Sequence, residues 1–231
     1  MRAISSVLNG TTLPHEILVY DDKSSDETVN MIKQTFSANK LVKLTVAKEN
    51  RGAGYARNEL LKHANGNFIA FLDADDWWAD NKLELQVQKI RQGNYDIVTG
   101  GYNIFTECGT LLGNRIPIKN ITFYNMHFTN WLPMSMTIFR KDLQSTSEMP
   151  KIRKRQDYAF WLKVFRDNAN IKCYTIDQII GGYTRRPGSL SSGKLSNIKA
   201  NYVMFRKEIN YSRFFSLILV FVNSLIRLSR P

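Results

Sequence analysis

Phe68-Ile69-Ala70-Phe71-Leu72-Asp73-Ala74-Asp75-Asp76-Trp77-Trp78 is the stretch whose reading decides the fold. Five apolar residues in a row read as a buried strand, and the run stops abruptly in carboxylates. Side chains at i and i+2 of an extended chain share a face, so Asp73 and Asp75 aim the same way. Two anions held that close repel each other and lose hydration, which calls for a positive charge between them. A hard divalent cation bound by carboxylate oxygens, with ligand phosphates completing its shell, meets that demand. The alternative is that Asp75 and Asp76 cap the helix that follows.

Outward from this stretch the pattern alternates. Residues 2–9 read as a helix closed by Asn9-Gly10, and residues 16–20 as a short strand. Ser24-Ser25-Asp26-Glu27 has the form of a capping box for a helix with Val29, Ile32 and Phe36 on one face. Residues 41–47 form a strand, and a helix over 53–64 gathers Ala53, Ala56, Leu60 and Ala64. A helix over 82–91 has Asn81 and Glu84 as its box. Strands alternating with helices predict an α/β fold, a parallel sheet with crossover helices. Ligands of such sheets bind outside the carboxyl ends of the strands, where Asp21-Asp22 and Asp73-Ala74-Asp75-Asp76 both fall. From Asp96 onward the elements shorten. Residues 97–101, 104–116 and 134–139 read as strands, 157–167 as a helix with Trp161, Val164 and Phe165 on one side, and 171–184 as strand-like. The tail after Lys194 is helical.

The 231 residues suffice for one α/β domain with a short appendage, and 43% hydrophobic content supports a real core. A net charge of +12 favours anionic partners: phosphates, nucleotides, nucleic acid or an acidic membrane surface. Cys108 and Cys173 lack metal-ligand spacing and argue against a disulfide framework, which suits a reducing compartment. No apolar run approaches the roughly 20 residues of a spanning helix. Lys199, Arg206, Lys207, Arg213, Arg227 and Arg230 flank the apolar run that starts at Phe214, a pattern suited to a helix lying in a membrane interface. The competing expectation packs that helix on the rest of the chain or on a second copy, giving a homodimer.

Four signatures occur in fixed order: Tyr20-Asp21-Asp22-Lys23-Ser24-Ser25-Asp26, Asn50-Arg51-Gly52-Ala53-Gly54-Tyr55-Ala56-Arg57-Asn58, Phe71-Leu72-Asp73-Ala74-Asp75-Asp76-Trp77-Trp78 and Arg155-Gln156-Asp157-Tyr158-Ala159-Phe160-Trp161. Together they resemble the family 2 glycosyltransferases, inverting nucleotide-sugar enzymes of the GT-A fold, over residues 1 to about 195. Gly188-Ser189-Leu190-Ser191-Ser192 resembles the bacterial members that build surface polysaccharides. The resemblance implies a Rossmann-like, mostly parallel sheet flanked by helices. A nucleotide-binding half over 1–100 and an acceptor half over 101–195 would be followed by an amphipathic helical tail over 196–231. It implies a nucleotide-sugar donor, a UDP-sugar above all, and a polysaccharide or lipid-linked acceptor.

By the same resemblance Asp75 ligates a divalent Mn2+ or Mg2+, and Asp73 contacts the ribose or assists the metal. Asp22 accepts from the base, Arg51 touches base or phosphate, and Asp157 is the general base. Gln156 stands where relatives often carry a second carboxylate. Asp157 as a mere partner of the helix dipole is the other reading. Arg57 and Asn58 are either ligand contacts or helix-surface residues, and Arg185-Arg186 either fold over the diphosphate or stay solvated. The three histidines show no ligand spacing. Trp77, Trp78 and Trp131 either line a sugar pocket or pack. No nucleic-acid recognition motif accompanies the basic residues. The expected location is cytoplasmic, peripheral at the inner face of the membrane.

Relatives begin with a strand before the helix that opens this chain. The expectation is that the true start lies upstream, the alternative being a truncated, inactive membrane-associated relative. A metal-dependent nucleotidyltransferase, which releases pyrophosphate, is the other rival.

Overall fold

Ile32 and Phe36 fall on one side of a nine-residue helix, α2 (Thr28–Phe36), and draw it onto two strands, β1 (Ile17–Asp21) and β2 (Val42–Val46). With α2 as crossover the strands pair in parallel over five residues, and Ile4 of α1 (Arg2–Leu8) joins the same cluster. The structure is a computed structural model and describes residues 1–144, 148–186 and 194–228. The 188–192 stretch and Arg230 of the sequence reading lie outside them.

α3 (Ala53–His63) leads into β3 (Phe68–Ala70), which opens the main sheet. There follow β4 (Trp77–Trp78), α4 (Lys82–Gly93), β5 (Ile97–Thr106), β6 (Leu111–Arg115), α5 (Phe123–Met126), β7 (Ile138–Arg140), α6 (Gln156–Asp167) and β8 (Cys173–Arg185). The sheet runs β3-β7-β5-β8-β4, with β6 paired to β5. A mostly parallel sheet is expected, and the pairings divide. β1–β2 and β5–β8 are parallel; β3–β7, β5–β7, β4–β8 and β5–β6 are antiparallel. For β5–β6 the cause is the short connection between them, while β3–β7, β5–β7 and β4–β8 join strands far apart in the chain. The β5–β6 turn closes with Thr106 N–H donating to the Thr110 carbonyl at 2.9 Å, and a hairpin can only run antiparallel. Among the described residues β1 pairs only β2 and β3 only β7, so each keeps an open edge.

Three local expectations are corrected. Residues 134–136 form a 3-10 turn rather than a strand, because the Pro133 carbonyl accepts from both Met136 N–H and the Thr137 hydroxyl. The 24–27 capping box does not form: Ser24 N–H donates to Asp21 Oδ1, and Asp26 Oδ1 accepts from Thr28 N–H. Asn81 makes no side-chain cap bond, and Glu84 accepts from the Thr11 hydroxyl at 2.6 Å instead.

The largest core cluster surrounds α6, whose Tyr158, Ala159, Phe160, Trp161, Leu162 and Val164 are all buried. A helix apolar around most of its circumference needs covering on every side. The sheet supplies one cover, with Trp161 meeting Phe139 edge-on at 5.2 Å. The tail supplies another: α7 (Lys194–Val203), a π turn over Met204–Glu208 and α8 (Arg213–Leu228) bring Met204, Phe205, Ile209, Leu219 and Val220 into the same cluster. Cys108 and Cys173 are free thiols. No described helix is long and apolar enough to cross a membrane.

Candidate functional site

β3 ends at Ala70, and after Phe71 and Leu72 the chain turns sharply, Asp76 N–H donating to the Asp73 carbonyl at 3.0 Å. The turn is pinned from inside by Asp76, which is 1% exposed. Its carboxylate accepts from the Ser135 hydroxyl at 2.6 Å and from Thr184 N–H at 3.0 Å. Burial pushes this carboxyl up to about 7, against the pull of those two hydrogen bonds. Ser135 also accepts from Asp73 N–H at 3.1 Å, while its carbonyl takes the Trp78 indole N–H at 2.6 Å. Neither Asp75 nor Asp76 caps a helix, since α4 begins at Lys82; the capping alternative fails.

With Asp76 holding the turn inward, Asp73 and Asp75 are left partly open to solvent, and each meets a guanidinium. Arg57 Nη2 donates to Asp73 Oδ1 at 2.5 Å; Arg186 Nε lies 3.2 Å from Asp75 Oδ2 and 3.5 Å from Glu107 Oε1. Arg2 and Thr184 both donate to the Asp75 carbonyl. Arg57 is the pivot. Its side chain is 15% exposed, and the carboxylates of Asp73, Asp157 and Asp76 all act to keep it charged against its burial. The reading of Arg57 as a helix-surface residue is therefore overturned. Asn58 turns out to be a clamp, exchanging both amide bonds with the Met149 backbone at 3.1 and 2.8 Å.

Asp157 sits in the first turn of α6, its Oδ2 accepting from Asn130 Nδ2 at 2.8 Å. Arg155, in left-handed conformation with φ 66°, turns the chain into the helix. α3 presses close here: a Cβ on Gly54 would stand 2.7 Å from Gln156 Nε2 and 2.9 Å from the Pro150 carbonyl. Only glycine admits that approach, which brings the second and fourth motifs together.

At the end of β1, Asp21 is buried and Asp22 is half-buried. Asp22 Oδ1 accepts from Arg51 N–H at 2.9 Å and Oδ2 from Gly52 N–H at 2.6 Å, so it clamps the 50–52 loop. Arg51 projects above Tyr55, 4.9 Å from the ring centroid, and Tyr55 meets Tyr20 edge-on at 6.4 Å. A cation over an aromatic pair at a strand end forms a ledge for a flat ring. Trp78 packs in the interior, and Trp77 stacks at a tilt on Phe105 at 5.9 Å. His127 bonds the Phe123 carbonyl and the Tyr211 hydroxyl, a packing role.

Asp73 and Asp75 offer two carboxylates, and among the described residues no group of three or more His, Cys, Asp and Glu side chains comes together. Mg2+ and Mn2+ keep few protein ligands where phosphate oxygens and water complete the shell. The donor set therefore fits a cation that arrives with a phosphate-bearing ligand, and does not form a cage of its own.

Sequence reasoning had a signal for Arg57 and Tyr55, which lie inside the second motif. It had none for Ser135, Thr184 or Asn130, single polar residues far from the carboxylates they hold.

A family model described as glycosyl transferase family 2 matches residues 1–152. Among curated proteins, an Escherichia coli protein named UDP-Glc:alpha-D-GlcNAc-diphosphoundecaprenol beta-1,3-glucosyltransferase WfgD is 34% identical over 200 residues, covering 87% of this chain and 77% of its own length. Bacillus subtilis TuaG, a putative teichuronic acid biosynthesis glycosyltransferase by name, is 29% identical over 205 residues, covering 88% and 81%. The solved structure of Staphylococcus aureus TarS 1-349 with UDP-GlcNAc aligns with a TM-score of 0.71 at 20% identity, over 99% of this chain and 69% of that one.

Proposed function

The chain belongs to glycosyl transferase family 2, and from that premise we propose that it transfers a sugar from a UDP-sugar to a hydroxyl of a polysaccharide or lipid-linked acceptor, with inversion. The observation that carries this reading is the half-buried Arg57 guanidinium, which bonds Asp73 at 2.5 Å and is held charged by the carboxylates of Asp157 and Asp76 as well, so that the 73–76 turn and the α6 carboxylate share one cation. The names of WfgD and of the TarS complex support a UDP-linked donor, and that of WfgD a diphosphate-lipid acceptor. Residues 1–195 would be the catalytic domain and 196–231 its appended tail.

Transfer breaks the bond between the anomeric carbon and a phosphate oxygen, and charge builds on the departing diphosphate. Asp75, with Asp73 beside it, would hold a divalent ion that neutralises this charge as a Lewis acid. A mannosyltransferase structure from Pyrobaculum calidifontis, titled with GDP-Man and Mn2+, supports such an ion. Arg186, 3.2 Å from the same carboxylate, would be free to bind phosphate were a metal ion to take Asp75. Asp22 fixes the 50–52 loop so that Arg51 and Tyr55 frame the base. The acceptor hydroxyl attacks from the face opposite the leaving group and gives its proton to Asp157, which Asn130 holds in place.

The test is a screen of nucleotide sugars scored by released nucleoside diphosphate, beside thermal shifts with UDP and Mn2+. Protection by UDP that requires the metal and vanishes in Asp75→Ala is expected. Release of pyrophosphate, or indifference to every nucleotide with metal present, overturns the proposal.

A further inference from the structure

We propose that the outward face of α8 is a docking surface for an anionic lipid bilayer, and that it brings the acceptor half of the site to that surface; only the second clause rests on the proposed reaction. This helix is apolar on its outward face as well as its inward one, unlike an ordinary surface helix. Phe214, Leu217 and Phe221 are 76%, 58% and 64% exposed, with Ile218 and Leu225 between and beyond them at helical spacing. The inward face holds Leu219 and Val220 but also Ser216, fully buried, and Asn223. Ser216 donates to the Ser212 carbonyl at 2.8 Å, and Asn223 to the carbonyls of Leu219 and His127 at 2.9 Å each. Polar groups thus point into the protein and phenylalanines out of it. An apolar strip of this extent on a solvent face marks an interaction site.

Length and charge choose the occupant. Sixteen residues at about 1.5 Å each reach roughly 24 Å, short of a bilayer's hydrocarbon thickness of about 30 Å, so the helix lies along the interface. Residues 199–231 contain one acid, Glu208, and that is paired with Lys163 at 2.8 Å, while Lys199, Arg206, Lys207 and Arg213 lead into or open the helix. An anionic lipid surface complements this local excess of positive charge, whereas a second copy would bring the same excess. The helix is also tied to the site. Asn223 holds the His127 carbonyl, and from that same segment Asn130 donates to Asp157.

The test is co-sedimentation of the full chain, without donor or acceptor, with vesicles of phosphatidylcholine alone or mixed with phosphatidylglycerol. Binding to the mixed vesicles that weakens in salt is expected. Phe214→Ser with Phe221→Ser should lower the bound fraction at least tenfold, and Lys207→Glu with Arg213→Glu should abolish the phosphatidylglycerol preference. Leu112→Ser, on the exposed β6 strand, should change neither, and far-UV melts certify that each variant folds. Wild-type binding equal to that of the phenylalanine variant overturns the proposal. So does a dimer in light scattering that the same variant splits while vesicles capture nothing, which would make a second copy the occupant. Vesicle binding by a protein that releases no nucleoside diphosphate from any donor overturns only the clause about the acceptor half.

Discussion

The turn at Asp73-Ala74-Asp75-Asp76 and the helix α8 both place side chains against their usual preference, and they resolve it oppositely. The turn concentrates three carboxylates, one of them buried, and answers each from a distant part of the chain: Ser135 and Thr184 for Asp76, Arg57 for Asp73, Arg186 for Asp75. The tail turns inward a buried serine and a half-buried asparagine whose partners are mostly carbonyls one helical turn away, and exposes phenylalanines. Long-range partners fix a geometry to which chemistry is sensitive. Local partners leave a segment free to serve a second surface. The difference is between a site completed by the fold and a face completed by something else.

That contrast can be broken in four places. The largest effect belongs to Asp157→Asn, which keeps the Asn130 contact in outline but removes the proton acceptor: kcat should fall by about 10²–10⁴-fold. UDP binding by calorimetry should stay within twofold, and full activity would remove Asp157 from the chemistry. Next is Ser135→Ala, which strips a hydrogen bond from the buried Asp76 and from Asp73 N–H. Urea unfolding should register a loss of about 1–3 kcal/mol.

Behind the turn lies a third arrangement, a buried amine with no carboxylate partner among the described residues. Lys82 is 0% exposed, bonds Gln86 Oε1 at 2.7 Å, and lies over the Trp78 ring at 3.8 Å. Burial pushes its ammonium well below the ordinary 10.5, so over an interval beneath that value the folded protein releases a proton that the unfolded chain still binds. Stability from this group therefore rises with pH across the interval between the two values, by up to about 1.4 kcal/mol per pH unit. Lys82→Met should flatten the rise in unfolding free energy as pH climbs toward 10.5; an unchanged slope would mean that burial does not weaken this lysine's hold on its proton. The smallest effect is expected of Ser216→Ala. This serine is as buried as Asp76, yet its bond reaches only one turn back to the Ser212 carbonyl, and stability should move by less than about 0.5 kcal/mol. A loss equal to that of Ser135→Ala would erase the distinction between the two regions.

Much of the fold was legible before any coordinates. The α2 crossover, the strand into Asp73 and the apolar α6 all carry periodicity that a linear reading detects. The antiparallel pairings were not legible, because partner choice follows connection length and edge availability rather than any property of a strand's own residues. Both expected capping boxes failed for a related reason: Asp21 and Thr11 competed for the same groups from outside the motif. At the site, Asp73, Asp75 and Asp157 stood out by motif, and Arg57 lay within one, but its partner Asp73 was not legible.

The sequence alone determined which residue types exist to do chemistry: carboxylates at strand ends, a carboxylate opening a helix, a tail both basic and apolar. Those follow from spacing, since i and i+2 share a strand face whatever the rest of the chain does. Only the tertiary structure decided which carboxylate faces inward, which cation meets which anion, and which side of α8 looks outward. These depend on contacts across more than a hundred residues, as between Asp76 and Thr184, and such pairing energies have no local signature.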